Sequence, residues 1–268
     1  MVIEMKVFAK TLREKSRGIL ILTAFFLGFS LYTVAILSTM SEELLSSFDE
    51  FLETPAFKAF AKSASTITTI EGLLVVELYQ WGIELLLAGY VILFAASFVS
   101  GEIEKKTVDV LLANPVSRTR ILLEKYGALI IMVTVVNGAL FTGVVAGLTY
   151  IGEEIDMAWL VYTHILFMPF LLAVGSYSTF LSVVFDDPRR VMSVGFGILL
   201  GSLFLDSFSL MSEKYASISK VTLFHYFDPG KSLILHEVEW NHVLVLCAVA
   251  VVFLGAAVGW FNRRDIKY

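Results

Sequence analysis

Between two long apolar runs lies a charged stretch, 101–125, reading GEIEKKTVDVLLANPVSRTRILLEK. Glu102, Glu104, Lys105 and Lys106 crowd its start and Asp109 follows. Acids and bases mixed this closely can pair with one another or with a second protein, and they hold no nucleophile–base arrangement. Two further ionisable residues, Glu84 and Asp206, sit inside apolar runs. Such residues are functional candidates by default, although each reads toward the outer end of its span, within reach of water. Asn137 suits an interhelical hydrogen bond, and Glu84, Asn137 and Asp206 together are candidate polar residues of a translocation path. The histidines, His164, His225, His236 and His242, match no compact metal-binding pattern, so no metal site is expected. Met168, four residues after His164, allows a soft-metal path to be imagined, against the simpler reading of scattered interfacial histidines. Gly230-Lys231-Ser232 imitates the end of a phosphate-binding loop, but His225 occupies the place of its first glycine. No catalytic residue is expected, and the chain does not read as an enzyme.

The elements that carry these residues follow from composition. The chain has 268 residues, 57% hydrophobic and 17% charged, where soluble domains average about a quarter charged. Mean hydropathy is +0.79. An integral membrane protein is implied. A bilayer core about 30 Å thick needs roughly 20 apolar residues of helix. Six segments qualify, at about 18–40, 79–100, 126–151, 158–185, 191–210 and 241–261. The expected fold is all-α, one membrane domain over 1–268. With both ends inside, fifteen of the twenty basic residues face the cytoplasm, as the positive-inside rule asks. The reading is therefore N-in and C-in, multi-pass, in the cell (plasma) membrane. A single cysteine, Cys247, excludes an intrachain disulfide. No basic patch suits nucleic acid.

Between the spans, residues 2–17 repeat Met5, Phe8 and Leu12 at helical spacing with bases between them. They suit a helix lying in the inner interface, or ordinary basic flanking. Residues 41–78 read as two small outer helices, one ending at Pro55 and a second following through Phe57, Phe60 and Ala61, and 211–239 as an outer segment broken by an Asp228-Pro229-Gly230 turn. Gly143/Gly147, Gly197/Gly201 and Gly255/Gly259 allow close helix approach, read as packing within the chain. Pro169 is expected to kink the fourth span.

On a helical wheel, 101–112 places Ile103, Val108, Val110, Leu111 and Leu112 on one side and Glu102, Lys105, Lys106 and Asp109 on the other. Glu104 falls within the apolar arc, where it is costly unless paired. Asn114-Pro115 ends this helix, and Ser117, Arg118 and Arg120 lead into the third span. The other inner connection, Asp186-Asp187-Pro188-Arg189-Arg190, reads as a tight turn with inside anchors.

The island resembles the membrane subunits of ABC transporters of the ABC-2 permease type. That family carries Glu-x-x-x-Gly-Thr-x-x-x-Leu-Leu-x-x-Pro-x-Ser-Arg, matched by Glu102, Thr107, Leu111, Leu112, Pro115, Ser117 and Arg118, with Lys106 in place of glycine. The Phe227-Asp228-Pro229 turn, the closing Phe261-Asn262-Arg263-Arg264-Asp265 and the six-span layout agree. The long first outer segment is similar to the sodium-efflux and copper-maturation subgroup. The resemblance implies an exporter whose 101–118 segment is a coupling helix seated in a separate cytosolic ABC ATPase, with Asp186, Asp187, Arg189 and Arg190 as a second contact. ATP and magnesium would belong to that partner, and a second permease copy or a related permease would complete the pair. The rival readings are an ATPase-independent secondary transporter, which should show charges near the midplane or inverted repeats, and a membrane scaffold.

Overall fold

The computed structural model describes residues 6–37, 69–112, 116–210 and 216–265, together with positions 39, 47, 50 and 54. In chain order the helices are α1 (Lys6–Leu37), α2 (Ile70–Ala96), α3 (Ser100–Glu104), α4 (Val108–Leu112), α5 (Arg118–Ile151), α6 (Met157–Val184), α7 (Pro188–Leu210), α8 (Ala216–Ser219), α9 (Pro229–Leu233) and α10 (Trp240–Arg263). A 3₁₀ turn covers Phe224–Tyr226. Six of them, α1, α2, α5, α6, α7 and α10, are long and apolar enough to cross a membrane. No strand occurs among the described residues. The protein is an all-α, multi-pass membrane protein. Of the outer segment expected over 41–78, residues 70–78 belong to α2, and the two outer helices expected before them lie outside the described residues.

Helix ends are fixed by local chemistry. Gly152 closes α5 in the left-handed conformation, φ +76°, its N–H on the Leu148 carbonyl at 2.9 Å. Asp156 then caps α6, its carboxylate accepting from Ala158 N at 2.9 Å and Trp159 N at 3.3 Å. Asp187 accepts from Arg189 N at 2.8 Å, and Pro188 opens α7 at the position where a missing N–H costs nothing. The expected turn at Asp228-Pro229-Gly230 is instead a helix start, with Asp228 capping Gly230 N at 2.9 Å.

Two sequence expectations need correction here. Residues 6–17 form no separate interfacial helix: α1 is one helix of 32 residues, about 48 Å long. Phe8 and Leu12 turn their apolar stripe onto the core along α5, and Phe8 N donates to Glu124 Oε2 at 3.1 Å. Tertiary packing claimed the face expected to meet lipid. The second span begins at Ile70, not Tyr79, and contains a π-helix over Leu74–Leu87. Glu77 and Gln80 weaken hydropathy there, yet neighbouring helices cover the stretch: Leu74, Val75, Leu78 and Tyr79 are fully buried.

That cover makes α2 the central column. It packs against α1, α5, α6 and α7, while α1 runs along α5, and α10 runs along α6 and also touches α5. Gly143 and Gly147 seat α1 on α5. A Cβ at 143 would stand 2.7 Å from the Leu27 carbonyl, and one at 147 would stand 2.7 Å from Val34 Cβ. Among the described residues, Gly197, Gly201, Gly255 and Gly259 face nothing within 4 Å, and the first of the three glycine pairs is the one that packs against another helix. Pro169 lies within α6.

Candidate functional site

The island folds as two short helices. α3 stops at Glu104, where Lys106 adopts φ +55°, the left-handed region. Lys106 N donates to Ile103 O at 3.0 Å and Thr107 N to Glu102 O at 2.9 Å. This pair of bonds is a Schellman cap, and its key position is one that glycine fills most cheaply. The single helix expected over 101–112 is thus broken at Lys105–Thr107. The break changes which acid is buried. Glu104, expected within the apolar arc, is exposed with Lys105, Lys106 and Asp109, whereas Glu102 is buried.

Glu102 lies under α3 against α5. Lys125 Nζ donates to Glu102 Oε1 at 2.7 Å, and the Thr107 hydroxyl donates to Glu102 Oε2. Lys125 is 4% exposed, so the pair is held out of water. Burial pushes the Glu102 carboxyl up, but the Lys125 charge, its hydrogen bond and that of Thr107 outweigh it and hold the group below the usual carboxylate range. Behind the pair, Ser182 of α6 accepts from Val99 N at 3.1 Å and Ser100 N at 3.3 Å, fixing the turn between α2 and α3. On α4, Val108 enters the main core, and Leu111 packs with Val7 and Ile121. Pro115 and the side chain of Leu112 fall outside the described residues.

The remaining motif residues serve the same end of the bundle. Ser117 caps α5, accepting from Arg120 N at 3.3 Å. Arg118 turns inward, donating to Phe261 O at 2.9 Å and Arg264 O at 2.6 Å, with its guanidinium 5.6 Å from the Phe261 ring centre. Arg264 in turn donates to Val183 O and pairs with Asp186. The 186–190 turn is thereby joined to the island's end through Arg264, leaving Arg189 and Arg190 exposed. Lys125 and Ser182 were not singled out from sequence, and Arg264 entered only within the closing Phe261–Asp265 match. Lys125 lies 23 residues from Glu102, and no local pattern announces a bond across that gap.

The candidate translocation residues sit on three separate helices, Glu84 on α2, Asn137 on α5 and Asp206 on α7. Glu84, expected near the outer end of its span, lies midway along α2 and is 1% exposed, because that helix begins nine residues earlier than hydropathy suggested. Asp206 is near the end of α7 as expected, but it is covered, with the Thr222 hydroxyl 3.2 Å from Oδ1. Asn137 does make an interhelical bond. Its Nδ2 donates to the His164 carbonyl at 2.8 Å, which places Oδ1 on His164 Nδ1, also at 2.8 Å. A backbone carbonyl only accepts, so the amide orientation is set, Nδ1 carries the proton, and Nε2 accepts from Tyr79 Oη at 3.1 Å. Both ring nitrogens of His164 are committed to these bonds, so the imagined soft-metal path through His164 and Met168 finds no lone pair there.

The arrangement is an anchored, charge-faced platform at one end of six membrane helices, beside the chain's inner turn and its C-terminal segment. Comparison with known proteins agrees with this shape. The profile of the ABC-2 family transporter proteins matches residues 1–266. Over 202 residues the chain is 26% identical to the uncharacterized protein YhcI of Bacillus subtilis (strain 168), covering 66% of this chain and 64% of that relative. The chain thus spans less than two thirds of the length of YhcI. With a family match over nearly its whole length and six helices able to cross a membrane, the chain belongs to the ABC-2 family of transporter proteins.

Proposed function

We propose that this permease exports its cargo, driven by a separate cytosolic ABC ATPase that grips α3 and α4, with the 186–190 turn as a second contact. ATP and magnesium bind in that partner. A second copy of the chain, or a related permease, completes the transporter. The carrying observation is the split personality of the island. Glu104, Lys105, Lys106 and Asp109 face outward from the bundle, while Glu102 and Thr107 tie the same helices to Lys125. A surface held this way presents fixed charges to a partner. The basic end of the bundle supports a cytoplasmic placement for it. The outward direction of transport is taken from the family likeness.

Co-purification of the permease with its co-expressed ATPase tests the reading. Glu104→Ala with Lys105→Ala should cut recovered ATPase several-fold while leaving the permease's own melting temperature unchanged, since both side chains are exposed. Undiminished recovery from a folded double variant sinks the assignment.

A further inference from the structure

At the end opposite the island, the 3₁₀ turn Phe224–Tyr226 touches both α7 and the start of α10. The ring of Phe224 lies 5.4 Å from that of Phe170, and the ring of Phe227, just after the turn, 4.7 Å from that of Phe167, so the turn is seated on α6. Its contact with α10 is made of titratable groups. His225 faces His242, the third residue of α10, with ring centres 5.3 Å apart. The Tyr226 ring stands edge-on to both, at 5.0 and 5.2 Å. Glu239 Oε2 accepts from His242 Nδ1 at 3.0 Å and from Lys231 Nζ at 2.7 Å. Among the described residues, the charged and titratable groups that act on His225 are His242, Asp206, Lys231 and Glu239. Asp228 and Glu237 border the same small cleft as His242, and Asp228 is engaged as the cap of α9.

These charges decide how the pair answers acid. Burial first, and then His242, hold the His225 imidazole below the ordinary histidine range; Lys231 adds to this, and Asp206 and Glu239 oppose it without reversing it. The hydrogen bond from Lys231 holds the Glu239 carboxyl below its ordinary value, so Glu239 stays ionised while the histidines titrate. A proton arriving on His242 therefore meets a carboxylate. A second, on His225, meets an imidazolium and an ammonium. A histidine whose pKa in the closed form lies below its free value, about 6.5, leaves the closed form intact above that value and favours opening as pH falls through it. We propose that the facing His225 and His242 are an acid-sensitive clasp, which holds the first turns of α10 on the 3₁₀ turn at neutral pH and releases them when both rings are protonated. The permease thereby reads the acidity of the compartment opposite its charged platform, whether or not an ATPase is attached.

The test uses the full chain in phospholipid nanodiscs, with Cys247 replaced by alanine. Leu246 lies one helical turn from His242, beside Tyr226 and Phe227, and is 1% exposed, whereas Val221 is 85% exposed. The rate at which a water-soluble pyridyl disulfide modifies Leu246→Cys, divided by its rate on Val221→Cys, cancels the reagent's own pH dependence. That ratio should rise about five-fold between pH 7.5 and pH 5. His225→Gln and, separately, His242→Gln should hold it low at both pH values, because neither leaves two rings to charge. His236, whose ring stacks on Trp159 at 5.0 Å, is the control, and His236→Gln should keep the full rise. A ratio that is flat with pH in the parent, a rise that survives both His225→Gln and His242→Gln, or a rise lost equally in His236→Gln overturns the proposal.

Discussion

Glu102 and Lys125 form a buried ion pair at the edge of a membrane domain, and such a pair is expensive to break singly. Removing one partner leaves a charge under α3 with nothing to answer it, at a cost of about 3–5 kcal/mol. The pH dependence follows from the depressed carboxyl of Glu102. A group whose folded pKa lies below its unfolded value, about 4.3, stabilises the fold fully above that value and loses the contribution as pH falls through the folded pKa. The melting-temperature gap between the wild type and Glu102→Gln should therefore be wide at pH 7 and close below about pH 4. A gap constant across that range would show that the carboxylate charge is not what holds α3. At this scale the sequence was partly readable. It offered Glu102 as a motif residue and Glu104 as the acid in trouble, and the two environments are reversed. The reversal turns on a single backbone angle at Lys106, which a helical wheel assumes away.

That angle is a matter of elements. The family pattern carries glycine where this chain carries Lys106, and the Schellman cap supplies the physical reason. A left-handed residue with a Cβ costs roughly 1–2 kcal/mol. Because the Lys106 side chain is exposed, Lys106→Gly should stabilise the isolated permease by about 1 kcal/mol, a few degrees in thermal unfolding. A lower melting temperature would mean that the lysine does more than tolerate its conformation. The missing glycine was itself the helix-stop signal, legible in the pattern but absent from the residue. Elsewhere, long apolar periodicity located α5, α6, α7 and α10 to within a few residues, apart from the extra turns that begin α5 at Arg118. It failed for α2, whose early turns carry Glu71, Glu77 and Gln80 and are sheltered by neighbours instead of being apolar themselves. It also divided α1 in two, since a basic amphipathic stripe reads alike whether it lies on lipid or on α5.

Across the whole molecule, the start of α1, the island, the 183–190 turn and the end of α10 gather at one end. The bonds that gather them are Phe8 to Glu124, Ser182 to Val99, and the Arg118–Arg264 chain. The basic residues that set the orientation by counting are thus neighbours in space. A cysteine replacing Asp109, with Cys247 removed, should react with an impermeant thiol reagent in inside-out vesicles and stay protected in intact cells. Labelling of intact cells would invert the topology. The six crossings and the end that holds the charges were legible from composition. The contacts that lock that end together were not, because they join groups more than 75 residues apart.

The locked end has a mechanical corollary. Arg118 and Arg264 rivet α5, α6 and α10 into one block, and among the described residues the polar bonds from α3 to that block run through Lys125 and Ser182. Under the coupling proposed above, thrust from beneath α3 would be shared between an ionic pivot and a hydroxyl pivot. Loosening either one would leave the block upright while the stroke dissipated before reaching it.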